Sequence, residues 1–269
     1  MHLGPGQAAH GDAGAPGTLA VLRSGPTPPA PGATPLVAAH GFTQHAGTWG
    51  PLLADLAADR PVAAVDLPGH GGSAAVDADL WGTASLLAAA GGHGDYLGYS
   101  LGGRVCLHLA LAHPEVVRRL VLVGATAGIR DPAARLARRA ADAALAERLA
   151  SRPLASFLQD WLAQPLFRTL APADAAVEAR LANTPAGLAA SLRSCGTGNQ
   201  QPLWDRLGEL RMPVLLVAGA LDVRFTAAAV AMARAIGANA AVAIVPGAGH
   251  ACQLERPAHV ARLVRSFLA

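Results

Sequence analysis

Short runs of apolar residues recur along the chain, and each breaks at a turn-forming residue. Leu36–Ala39 ends at His40-Gly41, Val62–Val65 at Asp66-Leu67-Pro68-Gly69, and Tyr96-Leu97 at Gly98. Leu120–Val123 ends at Gly124, Val214–Ala218 at Gly219, and Ala241–Val245 at Pro246-Gly247. The apolar positions are consecutive rather than alternating. Both faces of each run therefore call for burial, the pattern of strands inside a parallel sheet. Helical stretches lie between them, at Trp49–Ala58, Leu101–Ala112, Ala227–Ile236 and Pro257–Leu268. Strand and helix in alternation predict an α/β chain with a mostly parallel, doubly wound sheet and helices on both faces. Such sheets bind ligands beyond the carboxyl ends of their strands.

Two segments depart from this rhythm. Between Ser73 and Gly98 the chain looks short, with Gly91-Gly92-His93-Gly94 in place of a fuller helix-to-strand connection, so a truncated helix is expected there. From Thr126 to Gln201 the pattern is helical with no strand-like run. This predicts a helical cap, residues 127–201, inserted over the sheet's C-terminal edge, with residues 1–126 and 202–269 forming the core. The proline-rich Thr27–Pro35 reads as a surface turn between two early strands.

Composition narrows the class. Hydrophobic residues make up 52% of the 269 and charged residues 14%. The excess is mostly alanine, which gives a mean hydropathy of +0.33 without a long apolar run. No stretch of about 18 apolar residues is free of glycine, proline or charge, so no membrane-spanning helix is predicted. Met1–Gly17 lacks the basic and then apolar order of a secretory signal, which leaves the cytoplasm as the expected compartment. The net charge is +3, and the densest basic run, Arg135, Arg138 and Arg139, lies in an alanine-rich helical stretch. Without a basic stripe interleaved with aromatics, nucleic acid is not an expected partner. The three cysteines, Cys106, Cys195 and Cys252, have no short spacing, so neither a disulfide framework nor a metal site is expected.

The candidate chemistry sits at the strand ends. Gly98-Tyr99-Ser100-Leu101-Gly102 is a G-x-S-x-G sequence between a strand-like run and a helix, the setting of a nucleophile elbow. Small residues flanking Ser100 permit a tight turn, and the helix N-terminus favours developing negative charge beside the hydroxyl. Asp222 follows the Val214–Ala218 run and His250 follows the run ending at Val245. The order Ser, Asp, His is that of the α/β-hydrolase fold, and each member lies just past a strand. Taken singly, Asp222 reads equally as a helix N-cap and His250 as a loop histidine. His40-Gly41-Phe42 follows an early strand, so the backbone amides of Phe42 and Leu101 are candidates for an oxyanion hole. The Asp66–Gly71 loop reads as structural, and His108 as a packed or surface histidine.

At this point the sequence resembles a specific family, the 2-succinyl-6-hydroxy-2,4-cyclohexadiene-1-carboxylate synthases, lyases of menaquinone (vitamin K2) biosynthesis. The resemblance is carried by Val65–Ser73, by Gly98–Val105 and by Asp160-Trp161 with Gln164-Pro165 and Phe167. It continues in Gly187-Leu188-Ala189, Ser191-Leu192-Arg193, Gly196-Thr197-Gly198 and Leu203-Trp204, and it covers nearly the whole chain from His40 onward. It implies elimination of pyruvate from a cyclohexene carrying three carboxylates, with base catalysis by Ser100, His250 and Asp222 and with no metal or organic cofactor. It also implies that Tyr99, Arg104, Arg138, Trp161 and Arg180 contact the substrate. Guanidinium groups suit that task, because they stay charged and bind carboxylate bidentately. Arg104 lies one helical turn beyond Ser100 and can face the same pocket. The competing reading is a serine carboxylesterase or lactonase of the same fold, whose pocket would have no use for Arg104.

Overall fold

The computed structural model describes residues 17–28 and 32–269. Residues 1–16 of the Met1–Gly17 segment, from which no secretory signal is expected, and residues 29–31 of the proline-rich turn lie outside them.

Seven strands form one sheet: β1 (Val21–Ser24), β2 (Leu36–Ala39), β3 (Val62–Val65), β4 (Gly94–Tyr99), β5 (Val117–Val123), β6 (Val214–Gly219) and β7 (Ala240–Val245). Their spatial order is β1-β3-β2-β4-β5-β6-β7. Only β1 runs antiparallel, against β3; every other pair is parallel. The central strands are buried on both faces, as their consecutive apolar residues require. Val37, Leu122 and Leu216 face one core, while Leu36, Val121 and Leu215 face the other. Each fully buried leucine contributes roughly 1.5–3 kcal/mol.

One face is covered by α2 (Leu80–Gly91), α3 (Leu101–Ala112) and α8 (Val223–Ile236). The other is covered by α1 (Pro51–Leu56), α9 (Cys252–Glu255) and α10 (Pro257–Leu268). Between β5 and β6 the chain leaves the sheet and forms α4 (Pro132–Ser151), α5 (Leu154–Leu162), α6 (Val177–Arg180) and α7 (Pro185–Cys195). These helices have a small core of their own, built from Ala146, Leu149, Phe157, Leu158, Leu188 and Leu192.

Two expectations need correction. The segment after Ser73 holds a full helix of 12 residues, α2, rather than a truncated one. Asp79 caps it by accepting from the Gly82 amide at 2.7 Å, and its Leu- and Ala-rich sequence sustains the helix through Gly91. The economy lies in the connection, since only Gly92 and His93 separate α2 from β4. The second correction concerns β7, which is apolar throughout but lies at the sheet edge with one neighbour. It is only partly covered, and Ile244 is 38% exposed. Among the described residues no helix is long and apolar enough to cross a membrane, no group of His, Cys, Asp and Glu could hold a metal ion, and all three cysteines are free and buried.

Candidate active site

Ser100 sits in the turn from β4 to α3 with φ 51° and ψ −104°, a left-handed backbone that side chains other than glycine rarely adopt. The turn closes only because its neighbours are small. A Cβ on Gly98 would stand 2.4 Å from the Gly102 carbonyl oxygen, and one on Gly102 would stand 1.9 Å from that of Ala39. The strain is held by hydrogen bonds: the Ser100 amide donates to the Val123 carbonyl at 2.8 Å and the Gly102 amide to that of His40 at 2.9 Å. The Leu101 and Phe42 amides have no hydrogen-bond partner among the described residues, and both residues line the cavity that Ser100 faces. Two free amides beside a serine hydroxyl suit an oxyanion.

His250 follows β7 and is 2% exposed. Its Nε2 lies 3.2 Å from Ser100 Oγ and its Nδ1 lies 2.8 Å from Asp222 Oδ2. A carboxylate only accepts, so Nδ1 carries the proton, and Nε2 is left to accept from the serine hydroxyl. The rings of Phe225, Tyr99 and Phe167 surround the imidazole at centroid distances of 4.4, 5.5 and 6.0 Å. Asp222 fulfils both sequence readings at once. While Oδ2 holds His250, Oδ1 accepts from the Phe225 amide at 3.2 Å and caps α8. That cap is why α8 begins at Val223, four residues ahead of the predicted start.

The cavity over Ser100 brings together Phe42, Tyr99, Leu101, Arg104, Arg138, Trp161, Arg180 and His250. Every residue predicted to contact the substrate is therefore on its wall, with Asp222 behind His250. Arg104 is 7% exposed, its Nη1 is buried with no hydrogen-bond partner, and burial lowers its pKa to about 10, so it stays a cation at neutral pH. Arg180 is also buried, and burial lowers it to about 10. It donates through Nε to the Ala175 carbonyl at 2.7 Å and through Nη1 to the Thr43 hydroxyl, both neutral acceptors. Arg138 is half-buried, and its Nε donates at 2.7 Å to Asp142, one helical turn on. Trp161 packs against Phe42, Phe167 and Phe157 at 5.1, 5.8 and 6.3 Å. It is a wall of the cavity and part of the helical segment's core together.

Phe167, one of the residues that carry the resemblance, is on the wall as well, and so are Arg224 and Phe225, which sequence reading does not single out. Arg224 and Phe225 occupy the first turn of α8, immediately after Asp222. Once Asp222 is placed at the site, that turn must be near it, and this is the signal that could have found them.

The structure bears out the readings of the Asp66–Gly71 loop and of His108. Asp66 accepts from the Ala46 and Gly72 amides at 2.6 and 2.7 Å and so ties the loop after β3. His108 is a packed histidine, donating from Nδ1 to the Arg104 carbonyl at 2.7 Å and lying edge-on to Trp81.

A family profile described as the alpha/beta hydrolase family matches residues 36–263. A 2-succinyl-6-hydroxy-2,4-cyclohexadiene-1-carboxylate synthase from Serratia proteamaculans (strain 568) is 34% identical over 242 residues, 87% of this chain and 92% of that one. A putative enzyme of the same name from Bacillus subtilis (strain 168) is 31% identical over 247 residues, 87% of this chain and 89% of that one. Among solved structures, MenH from S. aureus superposes with a TM-score of 0.84 at 28% identity, covering 92% of this chain and 97% of that one. A thermophilic esterase from Thermogutta terrifontis superposes at 0.77 with 24% identity over 93% of each chain, a likeness of fold alone. The chain thus belongs to the α/β-hydrolase family and, within it, to the 2-succinyl-6-hydroxy-2,4-cyclohexadiene-1-carboxylate synthase family.

Proposed function

We propose that the protein is a lyase that eliminates pyruvate from 2-succinyl-5-enolpyruvyl-6-hydroxy-3-cyclohexene-1-carboxylate to give 2-succinyl-6-hydroxy-2,4-cyclohexadiene-1-carboxylate. In this reading residues 127–201 form a cap over the core, and the reaction runs in the cytoplasm without a cofactor.

Ser100, His250 and Asp222 act as a base. Asp222 fixes the His250 tautomer, His250 draws the Ser100 proton, and the serine oxygen takes the proton from ring carbon 2. That proton is acidic because carbon 2 is next to the succinyl ketone. The electron pair forms the C2–C3 double bond, the ring double bond moves to C4–C5, and the C5–O bond breaks. The leaving enolpyruvate takes up a proton and becomes pyruvate. The Phe42 and Leu101 amides stabilise the negative charge that develops on the ketone oxygen. No bond from Ser100 to substrate carbon is needed.

The observation that carries this reading is Arg104. A buried cation with an unpartnered Nη1 beside the serine costs stability unless an anion completes it. Arg138 and Arg180 line the same cavity, which suits a substrate with three carboxylates. Tyr99 and Trp161 supply flat apolar surface to the ring. A carboxylesterase would use the same Ser–His–Asp geometry but would gain nothing from these cations.

The test is a paired assay of the purified protein, following pyruvate release from the cyclohexene tricarboxylate and hydrolysis of p-nitrophenyl acetate. Fast pyruvate release with negligible ester turnover is expected. Rapid ester turnover with no pyruvate would overturn the lyase reading in favour of a hydrolase.

A further inference from the structure

The loop that carries His250 is pinned on both sides of the histidine. Ahead of it, the Ala248 carbonyl accepts from the Leu221 amide at 2.8 Å. Behind it, the Ala251 carbonyl accepts from the Leu254 and Glu255 amides of α9 at 2.8 and 2.9 Å. Next to His250 itself, the Gly249 amide donates to Glu255 Oε2 at 2.8 Å. This is the one side-chain hydrogen bond among the described residues to the backbone immediately before His250.

Glu255 is an unusual side chain for such a duty. It is 9% exposed, it forms no ion pair among the described residues, and its Oε1 is buried without a hydrogen-bond partner. A buried carboxyl group with one oxygen unpartnered costs stability, and the hydrogen bond it does accept is from the backbone beside His250.

The cap reaches the same spot. Thr169 Oγ1, buried and also without a hydrogen-bond partner, would lie 2.1 Å from a Cβ placed on Gly249, while Glu255 Oε1 would lie 3.4 Å from it. Two residues earlier, Phe167 lays its ring edge against the His250 imidazole. One residue later, Leu170 packs into the core beneath the sheet. The segment from Phe167 to Leu170 is thus seated on the His250 loop, and Gly249 is the point at which cap, loop and Glu255 meet.

We infer that Glu255 is a positioning residue: by holding the Gly249 amide against the seated Thr169, it sets the distance of His250 from Ser100 and couples that distance to the cap. The inference rests on the reading of Ser100 and His250 as a working pair, but not on which substrate is turned over.

The experiment uses the full chain and a fluorophosphonate probe, whose rate of reaction reports activation of Ser100 by His250. Glu255→Ala is expected to label at least about tenfold more slowly, since small misplacements of a reacting group cost one or two orders of magnitude. Glu255→Gln keeps an acceptor for the Gly249 amide and is expected within about twofold of wild type. The downfield imidazole proton of the His250–Asp222 bond should broaden or shift in Glu255→Ala and stay in place in Glu255→Gln. Gly249→Ala, which leaves Glu255 intact but forces Thr169 away, should slow labelling likewise and carries the test if Glu255→Ala does not fold. Both alanine variants labelling at the wild-type rate would overturn the inference, as would Glu255→Gln failing as badly as Glu255→Ala. Wild-type chain left unlabelled by the probe would overturn the Ser100–His250 reading itself, and the inference with it.

Discussion

Ser100 and Trp161 line one cavity, and the two walls that carry them are built differently. The core wall consists of turns at the ends of buried strands. There the reactive groups are fixed by backbone geometry: the left-handed turn at Ser100, the amide bonds that hold it, and the Asp222 carboxylate that caps a helix while it holds His250. The other wall is made of the helices between β5 and β6, which have a small core of their own, and its side chains are placed by pairwise contacts such as Arg138 with Asp142. Two of the arginines differ along the same line, while Arg180 of α6 is buried as Arg104 is. Arg104, on α3 of the core, is buried and incompletely partnered, whereas Arg138, on α4, is half-buried and neutralised in place. The Ser100–His250–Asp222 geometry is therefore set at the C-terminal ends of the strands, whereas the rest of the cavity is lined in part by the helical segment between β5 and β6.

The largest effect that would break this comparison is at Ser100. Ser100→Ala should lower kcat for pyruvate release by on the order of 10⁴-fold or more with little change in the thermal midpoint. A residual rate within tenfold of wild type, measured by single-turnover pyruvate release, would remove serine from the mechanism. Next come the two arginines. Arg104→Met should lower kcat/KM by roughly 10²- to 10³-fold, the worth of a bidentate charge-assisted contact in a dry site, while raising the thermal midpoint, because an apolar side chain replaces an incompletely paired buried cation. Arg138→Met should cost only about tenfold, as expected for a half-exposed charge that already has a partner, and should leave stability nearly unchanged. Equal effects of the two substitutions on rate and on melting would erase the distinction between the walls.

The smallest effect is on pH and concerns the core alone. His40 and His70 are fully buried, and burial lowers both pKa values from 6.5 to about 3. His40 Nε2 must be unprotonated to accept from the Leu67 amide at 3.0 Å. A depressed histidine pKa means that the unfolded chain binds more protons than the folded one below pH 6.5. Stability is therefore complete above about pH 6.5 and declines as the pH falls toward 3, with about one proton taken up on unfolding for each histidine. Denaturant midpoints at pH 7 and pH 5 should show the decline, and a midpoint independent of pH would mean that these rings are not buried neutral.

The division between the walls also explains what could be read in the sequence. The strands and the Ser100, Asp222 and His250 positions were legible because each depends on local rules: apolar runs, small flanking residues and the turn that ends each strand. The length of α2 was not, because Gly91-Gly92-His93-Gly94 reads as interruption and only the structure makes it a two-residue connection. Spacing alone cannot separate Arg138, which lines the cavity, from Arg135 and Arg139 on the same helix; the resemblance could, through a matching position. Arg224 and Phe225 escaped notice because their place on the wall follows from how the first turn of α8 meets His250, a tertiary fact. The same holds for Thr169 and Glu255, far apart in sequence and joined only at Gly249.

The most direct test of the central claim, that buried guanidinium chemistry makes this serine site a lyase site, is to compare Arg104→Ala with wild type on both reactions at once. The account predicts that pyruvate release from the tricarboxylate falls at least about 100-fold while turnover of p-nitrophenyl acetate is unchanged or rises. Parallel loss of both activities would make Arg104 a structural support of the elbow, and loss of neither would contradict the claim.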